Sequence, residues 1–194
     1  MGCMELAAAL GPHLEANPRP EPADGDRLAA VLALLITAPT PSMLFTERAA
    51  VMSRHAGEVS FPGGLVDPED GSLRSTALRE THEEIGIDPT LPSVIGALPP
   101  IHTHVSGILV TPFVATLAHL PPLTISDDEI ARVVTAPLGV LVDVEEEREL
   151  RDRDGTTWRS WWYELPDATV WGATGFIVHG LLELLRREAS WTIS

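Results

Sequence analysis

Between Phe61 and Ile87 the chain runs Phe-Pro-Gly-Gly, then an acidic loop, then a helical pattern closed by a glycine. No other stretch limits the fold as much. Leu73 to Ile85 reads as a helix stopped by Gly86. At about 100° per residue, Glu80, Glu83 and Glu84 fall within an arc of roughly 100°, while Leu78, Thr81 and Ile85 share a separate arc suited to packing on a sheet. Three carboxylates on one face repel one another. Such a face is either solvated surface or a seat for hard divalent cations, which prefer carboxylate oxygen. The surroundings favour the second reading. Arg79 precedes Glu80 and lies at i,i+4 from Glu83, where a guanidinium can clamp a carboxylate. Gly63 and Gly64 suit positive φ and close approach of backbone to a ligand. Asp67, Glu69 and Asp70 add oxygen ligands or charges at the helix start.

Around this stretch the pattern is that of a mixed sheet. Strand candidates are Ala29 to Thr37, Met43 to Thr46, Ser93 to Leu98, Ile108 to Leu117 and Glu129 to Thr135. A hairpin over Glu149 to Glu164 turns at Asp154-Gly155. An amphipathic helix from about Gly172 to Arg187 places Phe176, Ile177, Leu181, Leu182 and Leu185 on its apolar side. Strands interleaved with two good helices imply an α/β fold, a mixed sheet with helices packed on its faces. Residues 1–26 hold a short helix candidate, Met4 to Leu10, and a proline-rich arm; residues 27–194 form the main domain.

The net charge is −15, and all 13 basic residues are arginine. So acidic a surface disfavours nucleic acid and anionic lipid. A phosphorylated substrate then needs a local cluster of positive charge, from arginines or metal ions. Cys3 is the only cysteine, so no internal disulfide forms and a reducing compartment fits. The longest apolar stretch, Leu28 to Ile36, is too short to span a bilayer. Leu6 occupies the position where a myristoylation pattern wants Ser or Thr. A soluble, cytoplasmic protein is expected.

The stretch ending at Ile87 resembles the Nudix box, G-x5-E-x7-R-E-U-x-E-E-x-G-U with U a bulky aliphatic. Arg79, Glu80, Glu83, Glu84, Gly86 and Ile87 occupy its C-terminal half in register. Two departures stand out: Asp70 occupies the first Glu slot with one extra residue in the loop, and Thr81 replaces an aliphatic. The lead-in, Leu44-Phe-Thr-Glu-Arg-Ala49, Arg54-His-Ala-Gly57 and Phe61-Pro-Gly-Gly64, is similar to that of the coenzyme A pyrophosphatase subgroup, whose box carries the same extra residue. Leu98-Pro-Pro, Val110-Thr-Pro-Phe113, Ser126-Asp-Asp-Glu-Ile130 and Val170-Trp-Gly172 resemble its later segments. One mismatch is Ser53, where the subgroup has arginine, with Arg54 adjacent.

The resemblance implies the Nudix fold, an α/β/α sandwich around a mixed β-sheet with the box as loop–helix–loop. It implies a diphosphate hydrolase using Mg²⁺ or Mn²⁺, with Glu80, Glu83 and Glu84 as metal ligands and Arg79 holding the carboxylate array. Catalytic roles fall to Glu83, Arg79 and Glu80; the general base is a box Glu, with Glu83 the choice, or a Glu from a distant loop. Substrate contacts fall to Arg48, Arg54, His55 and the backbone of Gly63 and Gly64. The subgroup implies coenzyme A or its derivatives as substrate. Another nucleoside diphosphate derivative, such as ADP-ribose, is the alternative, and a non-catalytic Nudix-fold binding module the second.

Other residues read more plainly. His82 projects away from the carboxylate arc toward solvent, and His102 and His104 belong to a polar loop. Trp158, Trp161, Trp162 and Tyr163 suit core packing or a homodimer contact more than an adenine platform, and Trp171 and Phe176 read as core. Ser60 lacks partners for an acyl nucleophile. The partners expected are a small nucleotide diphosphate and a second copy of the chain, with no nucleic acid and no membrane.

Overall fold

The structure is a computed structural model that describes residues 2–49, 57–103, 107–151 and 155–187. Ser53, Arg54, His55, His104 and the first residue of the hairpin turn, Asp154, lie outside them.

Strand β1 (Arg27–Ile36) sits at the centre. Its apolar run is continuous because both faces are covered: Ala30, Leu32, Leu34 and Ile36 point into one core, Ala33 and Leu35 into the other. It runs parallel to β7 (Ile108–Leu117) along its whole length and antiparallel to β2 (Ser42–Arg48). With β3 (Val59–Ser60), β4 (Gly63–Leu65), β5 (Ser93–Ala97), β6 (Ile101–His102) and β8 (Ile130–Pro137) they form one mixed sheet. Its main path is β3-β2-β1-β7-β5; β4 pairs with β1, β6 with β7 and β8 with β2.

The box helix, α2 (Leu73–Ile85), covers one face, burying Ala77 and Ile85 against Leu32, Leu34 and Phe113. On the other face lie α1 (Cys3–Leu10) and α4 (Gly172–Arg187), whose Leu6, Leu10, Ile177, Val178, Leu181, Leu182 and Leu185 fill the larger core. The result is the expected α/β/α sandwich. A small second sheet, β11-β10-β9, is built from Glu145–Arg151 (β9), Thr157–Glu164 (β10) and Thr169–Val170 (β11). The N-terminal segment is tied in twice. Besides Leu6 and Leu10, Glu15 and Ala97 exchange backbone hydrogen bonds of 2.9 and 2.8 Å. No helix among the described residues is long and apolar enough to cross a membrane.

Some expectations change. The hairpin starts at Glu145 rather than Glu149: β9 is a charged edge strand, where solvent tolerates Glu-Glu-Glu-Arg-Glu. A helix not foreseen, α3 (Leu138–Asp143), joins β8 to β9; six residues are too few to show helical periodicity. Phe176 and Trp171 are surface rather than core, 47% and 40% exposed. At about 100° per residue Phe176 lies opposite the stripe centred on Val178, Leu181 and Leu185, so α4 cannot bury it.

Candidate active site

Everything in the site hangs on how α2 docks against β4. The helix starts cleanly, because Ser72 accepts the Ser75 N–H at 3.1 Å and the Ser75 hydroxyl accepts the Ser72 N–H at 2.8 Å. One turn of glycines lets it approach β4. A Cβ on Gly63, at φ 150°, would sit 2.4 Å from the Ala30 carbonyl oxygen, and one on Gly64 would sit 2.5 Å from Cδ of Glu80. Only a glycine pair leaves room for Glu80 and for the strand behind it. The glycines thus meet the box helix directly.

Glu84 lies deepest, with 2% exposure. Its Oε2 accepts the Gly63 N–H at 3.3 Å. Burial pushes its carboxyl up to about 8; the Arg48 guanidinium and the Gly63 N–H oppose this, and the charges of Glu80 and Glu129 add to it. Burial also raises the Glu80 carboxyl, against the pull of Arg79 and with the push of Glu83 and Glu129. Glu83 points elsewhere: it pairs with Arg79 at 2.7 Å and remains 54% exposed. Among the described residues, no three His, Cys, Asp or Glu side chains already enclose a cation-sized point. What the fold supplies is a pair, Glu80 and Glu84, whose negative charge is only partly balanced. Two hard oxygen donors in that state fit a divalent cation.

Arg79 is the hub of the loop–helix. Its Nε and Nη2 form a fork on the two Asp70 oxygens, each 2.9 Å, and Nη1 reaches Glu83 at 2.7 Å and Glu80 at 3.0 Å. Nη2 also donates to the Leu65 carbonyl at 3.3 Å. Asp70, only 5% exposed, further accepts the Asp67 N–H at 2.9 Å and the Thr76 hydroxyl at 2.8 Å. The Arg79 fork holds its carboxyl well below the usual carboxylate range, despite desolvation. Asp70 is therefore the anchor that orients Arg79, a role its shifted place in the box obscured.

Glu129 is the second residue that sequence reasoning passed over. It is far from the box in sequence, yet its charge acts on both Glu80 and Glu84. The turn that carries it is pinned to the end of α2 by Ser126, whose N–H donates to the Glu84 carbonyl at 2.9 Å. The Glu129 carbonyl in turn accepts the Ala49 N–H at 2.8 Å, beside Arg48. The only available signal was the similarity of the Ser126-Asp-Asp-Glu-Ile130 segment. Of the sequence-derived residues, Arg48, Gly63, Gly64, Arg79, Glu80, Glu83 and Glu84 come together, while Arg54 and His55 lie outside the described residues. His82 is exposed, with Nδ1 3.2 Å from the Ile87 carbonyl oxygen.

A sandwich of this topology with a glycine-backed carboxylate helix defines a class, and comparison agrees: the model of the NUDIX domain matches residues 26–175. The chain belongs to the Nudix family. Among curated proteins it is 40% identical over 159 residues to the uncharacterized Nudix hydrolase NudL of Cronobacter sakazakii, covering 80% of this chain and 81% of that one. Two solved structures share the fold at low identity. A MutT/nudix family protein from Enterococcus faecalis gives a TM-score of 0.56 at 18% identity, over 88% of this chain and 64% of that one. The NUDIX domain of Shewanella oneidensis NrtR, solved with ADP ribose, gives 0.55 at 16%, over 98% and 100%. The protein is a Nudix hydrolase, an enzyme of the diphosphate bond. Hydrolases of this family generally work with divalent metal ions.

Proposed function

We propose that the protein cleaves the diphosphate of coenzyme A or its thioester derivatives to 4′-phosphopantetheine and adenosine 3′,5′-bisphosphate, using Mg²⁺ or Mn²⁺. The observation that carries the catalytic half is the buried Glu84 carboxylate beside Glu80, short of positive charge and backed by the Gly63 N–H. Glu80 and Glu84 would hold the ion, with Glu83 assisting. When bound, the ion supplies charge neutralisation at the diphosphate and acidifies the attacking water. The chain's own residues do the rest. Arg79 fixes the directions of Glu80 and Glu83, and Asp70 fixes Arg79. Arg48 brings positive charge to the mouth of an otherwise acidic site, where a substrate phosphate needs it.

Two carboxylates are candidates for taking the water's proton: Glu83, on the box helix, and Glu129, on the distant turn. Glu83 is committed to Arg79 and its charge acts on Glu80, whereas the charge of Glu129 acts on both Glu80 and Glu84. Glu83→Gln and Glu129→Gln separate them, since only loss of the base removes the acidic limb of the pH–rate profile.

The coenzyme A half is supported by the lead-in segment from Leu44 to Gly64. Its test is kcat/KM for coenzyme A, 3′-dephospho-coenzyme A and ADP-ribose with Mg²⁺. Coenzyme A should be preferred, because its 3′-phosphate finds Arg48 and Arg54. Faster turnover of ADP-ribose would move the assignment to that substrate. Absence of cleavage across a wider diphosphate panel would reject the hydrolytic reading.

A further inference from the structure

Away from the carboxylates, a cleft of about 460 Å³ opens between the β2–β3 edge and the 165–171 segment, with Glu47, Glu58, Val59, Pro166, Asp167 and Trp171 among its walls. One residue of its wall, Trp171, belongs to a stack. Arg148 lies over the Trp162 ring at 4.5 Å, and Trp162 lies against Trp171 at 5.1 Å and 20° between planes. The outer member, Trp171, is 40% exposed and lines the cleft. A large apolar ring held flat by a stack behind it, and facing an open cleft, is built to receive another flat ring.

Strand β2 links the cleft to the catalytic carboxylates. The β2 register shifts between Glu47 and Arg48. A shift of this kind re-aims side chains: Glu47 lines the cleft, and the charge of Arg48 acts on Glu84. From Val59 the chain passes through Phe61 to Gly63, whose N–H meets Glu84. The opposite wall is fixed by Arg132, which bridges Glu47 on β2 and Asp167 on the 165–168 turn. The walls carry three carboxylates, Glu47, Glu58 and Asp167, against the one guanidinium of Arg132 that pairs with two of them. That excess disfavours a phosphate, while a carboxylate oxygen can accept a hydrogen bond from an exocyclic amine.

We infer that this cleft is the nucleobase subsite, in which the substrate's amino-bearing base stacks on Trp171 as a further layer while its phosphates turn away toward Arg48 and the carboxylate pair. This rests on the reading that the substrate is a nucleoside diphosphate derivative. The acidic walls would then set the polarity of binding, with the base inward and the phosphates out.

The test is calorimetric titration of the metal-free protein with AMP, ribose 5-phosphate and 4′-phosphopantetheine. Wild-type protein should hold AMP well above ribose 5-phosphate. Trp171→Ala should weaken AMP by about tenfold and leave the other two unchanged, and Trp171→Tyr should recover most of the loss. Unchanged AMP affinity in Trp171→Ala overturns the inference, as does equal wild-type affinity for AMP and ribose 5-phosphate. Selective loss of 4′-phosphopantetheine also overturns it, since the cleft would then hold that arm. The titration reads no turnover. AMP binding that depends on Trp171 in a protein cleaving no diphosphate keeps the cleft and rejects the hydrolase reading; normal cleavage with AMP binding indifferent to Trp171 rejects the cleft alone.

Discussion

Asp70→Asn is the sharpest probe of how the carboxylate helix is held. The Asp70 oxygens take four hydrogen bonds: Oδ1 from Arg79 Nε, and Oδ2 from Arg79 Nη2, Asp67 N–H and Thr76 Oγ1. An amide has one acceptor oxygen. The best placement turns it toward the three donors at Oδ2, which leaves an NH₂ group facing the Arg79 Nε–H. One charged hydrogen bond becomes a clash of donors, and the ion pair is lost. Hydrogen bonds to charged groups are worth about 1.5–3 kcal/mol. Arg79 is partly open to solvent, so screening favours the low end, roughly 1.5–2 kcal/mol. For a chain of this length that lowers Tm by about 3–8 °C.

The pH dependence gives an independent check. The Asp70 carboxyl is held below its ordinary value in the folded state. Its contribution is therefore complete above the unfolded pKa and drains away as pH falls toward the lower folded value. Circular-dichroism melts at pH 7 and at the lowest pH where the fold persists should show the gap between wild type and Asp70→Asn shrinking with acid. A variant melting within about 1 °C of wild type at pH 7 would refute this account of the hub.

Three further outcomes are expected. Glu84→Gln should cut hydrolysis by about 10²-fold or more, equivalent to ~2.7 kcal/mol, with Tm unchanged or raised because the variant removes a carboxyl whose ionisation burial opposes. Equal turnover at limiting Mg²⁺ would sink its role. Glu145 is partly buried, which raises its carboxyl, but hydrogen bonds from Tyr163, His179 and Arg186 more than offset this and hold it below its ordinary 4.5. The stability it adds should be full above that pH and fall as acid titrates it, so Glu145→Gln should differ from wild type at pH 6, with the gap narrowing as pH falls below 4.5. Leu6→Ala empties a fully buried site and should cost about 2–5 kcal/mol in urea unfolding. A negligible change would mean that α1 is an appendage.

Much of this site is local, and local features are legible in a sequence. The arc of Glu80, Glu83 and Glu84 follows from helical periodicity, as does the reach of Arg79 to Glu83. Phe176 is apolar but lies off the helix stripe by its angle, and Trp171 is large yet exposed, so neither apolarity nor size alone places a residue in the core. Asp70 and Glu129 escaped for another reason. What each does depends on a partner that spacing in the sequence does not supply: a fork closed across a loop for Asp70, and a turn pinned to the end of α2 for Glu129.

The sequence by itself determined the chemistry that can occur here: which carboxylates share a helix face, which glycines precede them, and that β1 is apolar on both sides. Those are consequences of repeat angles and side-chain types, which need no distant partner. The tertiary structure decided which of these groups differ in character. It sank Glu84 under the sheet while leaving Glu83 in solvent, brought Glu129 and Arg48 to Glu84, and set Trp171 at the rim of a cleft. Burial and long-range charge are properties of the packed chain, so no spacing along it could have assigned them.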